Sequence, residues 1–149
     1  MDPETLNLSQ WTQNLPTEIS FYEKGKLHLA VASVCLNASA IEADQWLAFR
    51  IADVSGVLIG TLLIGADADE PLHGPQLEAG NLLAARISDR LAPAQGKTVL
   101  PSPPIPVSAL NARAWIAALI EKRGAIQRAT YRLALENDTL SWIDALWMP

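Results

Sequence analysis

The sequence predicts an α+β fold, a mostly antiparallel sheet of about five to seven strands with two long helices packed on one face, and three observations predict it. First, residues 17–64 and 126–148 carry β-branched and aromatic residues at a period near two. Second, residues 75–91 and 109–122 carry apolar residues at spacings of three and four, the period of a half-buried helix. Third, the strand-like stretches follow one another through short turns instead of alternating with helices, which favours antiparallel pairing over a doubly wound parallel sheet. The 149 residues are most economically one domain, 1–149, large enough for a single core without staples.

Asp2-Pro3-Glu4 opens with an acidic cap, a proline and a carboxylate, the chemistry of a helix start. Leu6, Leu8, Trp11 and Leu15 form a short apolar face that stops at Pro16. Ile19 and Phe21 then mark a first strand, residues 23–26 a turn, residues 27–36 a second strand, and residues 37–42 a loop. Residues 46–52 and 57–64 read as a strand pair joined through Asp53-Val54-Ser55-Gly56, with alternation blurred enough to suggest burial of both faces of at least one strand. Residues 65–75 form a polar loop whose acids, Asp67, Asp69 and Glu70, lack the spacing of a calcium loop and lead into the positive end of the next helix.

That next helix, residues 75–91, is the element around which the site is expected. Leu77, Gly80, Leu83, Ala84, Ile87 and Leu91 fall on a single stripe. Glu78 and Asn81 lie off it, one turn apart, with the small Ala85 one turn further on. A carboxylate and a carboxamide are thereby presented side by side, a pair suited to positioning water or gripping a partner. Glu4 and Asn7 repeat the spacing, but a fraying terminus cannot hold two side chains in register.

Pro93-Ala94-Gln95-Gly96 ends the helix, and residues 97–100 form a short strand. Residues 101–106, rich in proline, must be extended and read as a buried connection. Ser108 caps a second helix, residues 109–122, with Ala112, Trp115, Ile116 and Leu119 inward and Gly124 closing it. Residues 126–135 and 139–148 make a final hairpin turning at Glu136-Asn137-Asp138, with Tyr131, Leu133, Leu135, Leu140 and Trp142 on one buried face.

Several function classes are excluded. A net charge of −5 without a Lys/Arg cluster argues against nucleic acid. One cysteine, Cys35, inside an apolar run, rules out an internal disulfide and a thiolate metal cluster and reads as a small buried thiol. The two histidines, His28 and His73, lack metal spacing, and no glycine-rich phosphate loop or Gly-x-Ser-x-Gly appears. Neither a signal peptide nor a membrane span is evident, which sets a cytoplasmic location as the expectation. The five tryptophans read as core or interface filler, and Trp147, placed near the end of an edge strand, would suit packing across a homodimer.

The run from Leu77 to Ala84, followed by Pro104, resembles the signature of the CheC/CheX/FliY phosphatases of bacterial chemotaxis, which carry Glu-x-x-Asn on a helix and a distal proline after twenty-two intervening residues. Here residues 82–103 separate Asn81 from Pro104. An Ala-rich helix and a two-strand end closing on Met148-Pro149 look similar too, and the likeness covers residues 54–149. With one motif copy the chain looks more like the single-site CheX type than the two-site CheC type. The family prefers Ser or Asp four residues before the Glu, where this chain has Gly74, and the helix that commonly precedes the motif helix is replaced by the loop at residues 65–75.

The resemblance implies a phosphatase of a CheY-like response regulator receiver domain in two-component signalling. Asn81 would orient a water in line with phosphorus, and Glu78 would pair with a lysine of the receiver. The receiver would supply its own Mg²⁺, so this chain would need no cofactor, metal or general base. Two further readings stand beside it. One is a non-catalytic adaptor or scaffold of the same fold, like the related middle domain of the flagellar switch protein. The other is an acidic dimeric chaperone of the type III secretion kind, similar in length, charge and mix of elements.

Overall fold

The computed structural model describes residues 18–21, 25–38, 43–68, 72, 74–124, 126–135 and 138–149. Among these residues eight strands and two helices follow in the order β1 (Glu18–Phe21), β2 (Gly25–Ala38), β3 (Gln45–Asp53), β4 (Leu58–Ala66), α1 (Gly74–Gln95), β5 (Val99–Pro101), β6 (Ile105–Val107), α2 (Ala109–Arg123), β7 (Ile126–Leu135) and β8 (Asp138–Met148). The expected helix after Asp2, with Glu4, Asn7 and Trp11, lies outside the described residues, as do Glu70, His73 and the side chains of His28 and Cys35.

All strands join one sheet in the order β1-β2-β7-β8-β4-β3-β5, with β6 also on β3, and every pairing is antiparallel. The α+β class, the antiparallel sheet and the two helices are thus as expected. The last rank is split: β5 pairs with Ile51–Asp53 and β6 with Trp46–Ala48 along the same edge of β3. Residues 102–104 lie between the two ladders: Ser102 still bonds to Arg50, and Pro104, the next residue to face β3 in an extended chain, has no N–H to give. This segment is therefore a broken, partly exposed sheet edge and not the buried connection expected for residues 101–106.

The expected placement of both helices on one face is corrected. Leu47, Phe49 and Ile51 of β3 belong to the core that contains Ala79, Leu83, Ala84, Ile87 and Leu91 of α1. Trp46 and Ala48, which alternate with them, belong to a second cluster with Ala112 and Ile116 of α2. Successive strand residues point to opposite faces, so α1 covers one side and α2 the other. Leu63 lies with α2 while Leu62 and Ile64 lie with α1, and β8 divides in the same way at Ala145 and Leu146. An antiparallel sheet clad on both sides needs apolar residues at consecutive positions, which is the physical source of the blurred alternation in β3 and β4.

Local chemistry sets the element ends. Ser108 Oγ accepts the Asn111 N–H at 3.1 Å and caps α2, and Gly124, at φ 85°, closes it. The β3–β4 turn closes on Asp53, whose Oδ1 accepts the N–H groups of Ser55 at 2.8 Å and Val57 at 3.1 Å. Gly56 supplies the positive φ there. α1 runs one turn further than its apolar stripe suggests and passes through Pro93 to Gln95, where Gly96 at φ 63° stops it.

The tryptophans divide differently from expectation. Trp147 sits on a central strand between β7 and β4, is 3% exposed and lies in the α1-side core, so it is not an edge residue open to a second copy. Trp142 pairs in register with Arg132 and is 52% exposed, while Ile143 takes the buried position beside Tyr131. Trp115 is also exposed and is not among the buried residues of α2. Among the described residues no helix is long and apolar enough to cross a membrane.

Candidate functional site

The site is built on α1, and its orientation follows from how that helix beds on the sheet. Gly74, at φ 53°, turns the chain into the helix, and Pro75 fits the first turn, where its missing N–H costs nothing. The buried stripe is Ala79, Gly80, Leu83, Ala84, Ile87, Ser88 and Leu91. Leu77, expected within the stripe, is only partly buried at its margin, whereas Ala79 and Ser88 join it. The Ser88 hydroxyl is tolerated inside because it donates to the Ala84 carbonyl at 2.9 Å, within the helix itself.

Gly80 sets how closely helix and sheet approach. A Cβ at this position would stand 3.0 Å from Phe49 Cζ and 3.5 Å from Ile64 Cγ1, so any larger residue here requires the Phe49 ring to give way by a few tenths of an ångström. Glu78 and Asn81 bracket it. Three residues apart, they are separated by about 4.5 Å along the axis and about 60° around it. Asn81 and Ala85 are exposed and Glu78 is half-buried, all on the outer surface of one uninterrupted helix. Neither the Glu78 carboxylate nor the Asn81 carboxamide has a hydrogen bond or ion pair among the described residues. Two polar groups, free to receive a partner, are thereby held on a rigid support.

The remaining expected residues are dispersed. Pro104 lies on the split outer rank of the sheet, between β5 and β6, and not on the helix that carries the pair. Asp67 is exposed beyond β4, and no group of three His, Cys, Asp or Glu able to hold a metal occurs among the described residues. Gly74 has open space where a side chain would stand, but its positive φ disfavours any residue with one.

One polar titratable group is buried away from the helix pair. Tyr131 is 0% exposed in the α1-side core, and its hydroxyl has no hydrogen-bond partner among the described residues. Burial, which penalises the phenolate, pushes its pKa far above the usual 10.0. It therefore stays neutral and is no acid or base at ordinary pH.

A groove on the α2 face was missed from sequence. It brings together Arg50, Thr61 and Trp115 from three different elements. The available signal was the run Trp46, Ala48, Arg50 on one face of β3, in which a small residue precedes a charged one. No protein-family model matches the chain, and none of the curated proteins compared with it matches either.

Proposed function

We propose that the chain is a cytoplasmic protein-aspartyl-phosphate phosphatase acting on a CheY-like receiver domain. Asn81 orients the attacking water and Glu78 grips the lysine of the receiver's active site. The observation that carries this reading is the outward placement of the pair on one continuous helix, unpartnered and beside the small Ala85. Such a site supplies geometry alone. The receiver brings the magnesium and lysine that stabilise phosphoryl charge, so fixing one water in line is the contribution left to make.

A second reading, a non-catalytic adaptor on the same surface, is favoured by Gly74, which places no side chain one turn before Glu78. The two separate in an assay of phosphoryl loss from a purified receiver domain with Mg²⁺ present. A phosphatase accelerates the loss, and Asn81→Ala lowers that acceleration about 100-fold, the usual cost of misplacing a reacting group. Glu78→Ala removes a charge-assisted hydrogen bond and weakens receiver binding about tenfold. An adaptor binds the receiver without acceleration and is indifferent to Asn81→Ala. Absence of receiver binding overturns both readings and returns the secretion-chaperone alternative.

A further inference from the structure

α2 does not cover its face of the sheet completely. Ala112 and Ile116 press into the second core, but Trp115 remains 42% exposed, and beside it opens a groove of about 400 Å³. That size falls in the ordinary small-molecule range of about 300–1,000 Å³. Its floor is Ala48, and Leu58, Ile105, Trp115 and Met148 form apolar walls. Leu58 and Ile105 are 46% and 41% exposed, so hydrocarbon surface stands open to solvent at its rim.

Two polar side chains face this apolar space, Arg50 and Thr61. They are direct register partners across β3 and β4, which sets them side by side on the same face of the sheet. Neither the guanidinium nor the hydroxyl has a partner among the described residues. In a chain of net charge −5, an unpaired arginine against apolar walls selects an anion. A planar carboxylate matches the guanidinium fork and can accept a further bond from the adjacent hydroxyl. No second cation lines the groove, which favours a single negative charge over a phosphate dianion.

We propose that this groove binds a free amphipathic monocarboxylate, a medium-chain acyl acid, with its headgroup on Arg50 and Thr61 and its chain along Leu58, Ile105 and Trp115. The site lies on the opposite face from Glu78 and Asn81 and stands independently of the reading given to that pair.

The test is titration of the full chain with decanoate by calorimetry, with tryptophan fluorescence of wild type against Trp115→Phe as a second readout. Saturable one-to-one binding is expected, strengthening about fourfold per added methylene from octanoate to dodecanoate. Arg50→Gln weakens decanoate about tenfold or more while leaving decanol unchanged, since only the acid presents a charge. Thr61→Val weakens it severalfold, and Leu58→Trp, filling the rim, reduces binding of acid and alcohol alike. The proposal is overturned if decanoate does not saturate, or if acid and alcohol bind equally well to wild type. It is equally overturned if neither Arg50→Gln nor Thr61→Val changes the affinity, or if the chain is a dimer that Leu58→Trp dissociates, which would give the groove to a second copy.

Discussion

Gly80 lies under the ring of Phe49 so closely that a Cβ would stand 3.0 Å from Cζ and 3.1 Å from Cε2. Phe49 is 1% exposed and cannot swing away into solvent. Gly80→Ala therefore meets two opposing effects, a helix-propensity gain of about 1 kcal/mol and an overpacking cost of about 1–3 kcal/mol. The clash wins: the expected outcome is a net loss of about 1 kcal/mol for Ala and about 3 kcal/mol for Leu, measured by urea unfolding. An increase in stability for Gly80→Leu would show that helix and sheet are not in the contact described.

Tyr131 gives a prediction with a sign. Its pKa in the folded chain is raised far above 10.0, so above that pH the unfolded chain releases a proton that the folded chain retains. Stability is complete below pH 10 and falls by about 1.4 kcal/mol per pH unit above it. Tyr131→Phe removes this part of the alkaline loss and, by deleting an unpartnered buried hydroxyl, raises stability at neutral pH by about 1 kcal/mol. Denaturant unfolding of both proteins at pH 7 and pH 11 measures both effects.

Asp53 organises the β3–β4 turn through two backbone N–H groups, and Lys97 Nζ approaches its other oxygen at 3.8 Å. The lysine is half exposed, so its removal should change stability by less than about 0.5 kcal/mol. Asp53→Ala removes two charge-assisted hydrogen bonds that hold the turn and should cost about 1–2 kcal/mol. A chemical denaturation series on the two single variants separates these contributions, and equal losses would contradict the turn geometry.

Ser102 completes a pair of bonds with Arg50 across the broken edge. Its N–H donates to the Arg50 carbonyl at 2.8 Å, and its Oγ accepts the Arg50 N–H at 2.9 Å. Ser102→Ala should speed amide exchange at Arg50 about tenfold while costing at most about 1 kcal/mol of global stability, because water replaces the lost acceptor at this partly exposed position. Residue-resolved hydrogen exchange checks the first expectation and thermal unfolding the second.

Much of this architecture is legible in the residues, and what is not has identifiable causes. The spacing of Leu83, Ala84, Ile87 and Leu91 shows the inner face of α1, and Ser108 and Gly124 mark both ends of α2, because periodicity and caps are local properties. The Glu78–Asn81 pair is legible for the same reason. Strand order is not local. Trp147 reads as an edge residue until β4 is seen to pair with β8, and nothing within residues 139–148 encodes that neighbour. The sides taken by the helices are half-legible: apolar residues at consecutive positions, Trp46 to Phe49, signal two covered faces, but not which helix covers which. Trp115 belongs to the same difficulty, since helical spacing places it near Ala112 and Ile116 and cannot show that a groove opens between it and the sheet.

The split outer rank has a consequence for how the molecule avoids its own kind. Ser102 directs its N–H inward to Arg50, so in an extended chain the flanking Pro101 and Pro103 turn their nitrogens outward. Those nitrogens carry no hydrogen, and a foreign strand arriving at this margin finds missing donors where a template for aggregation would otherwise stand. Proline at this border thus acts as a guard against fibrillar stacking, and replacing both residues with valine would open a route to polymerisation that the native margin keeps shut.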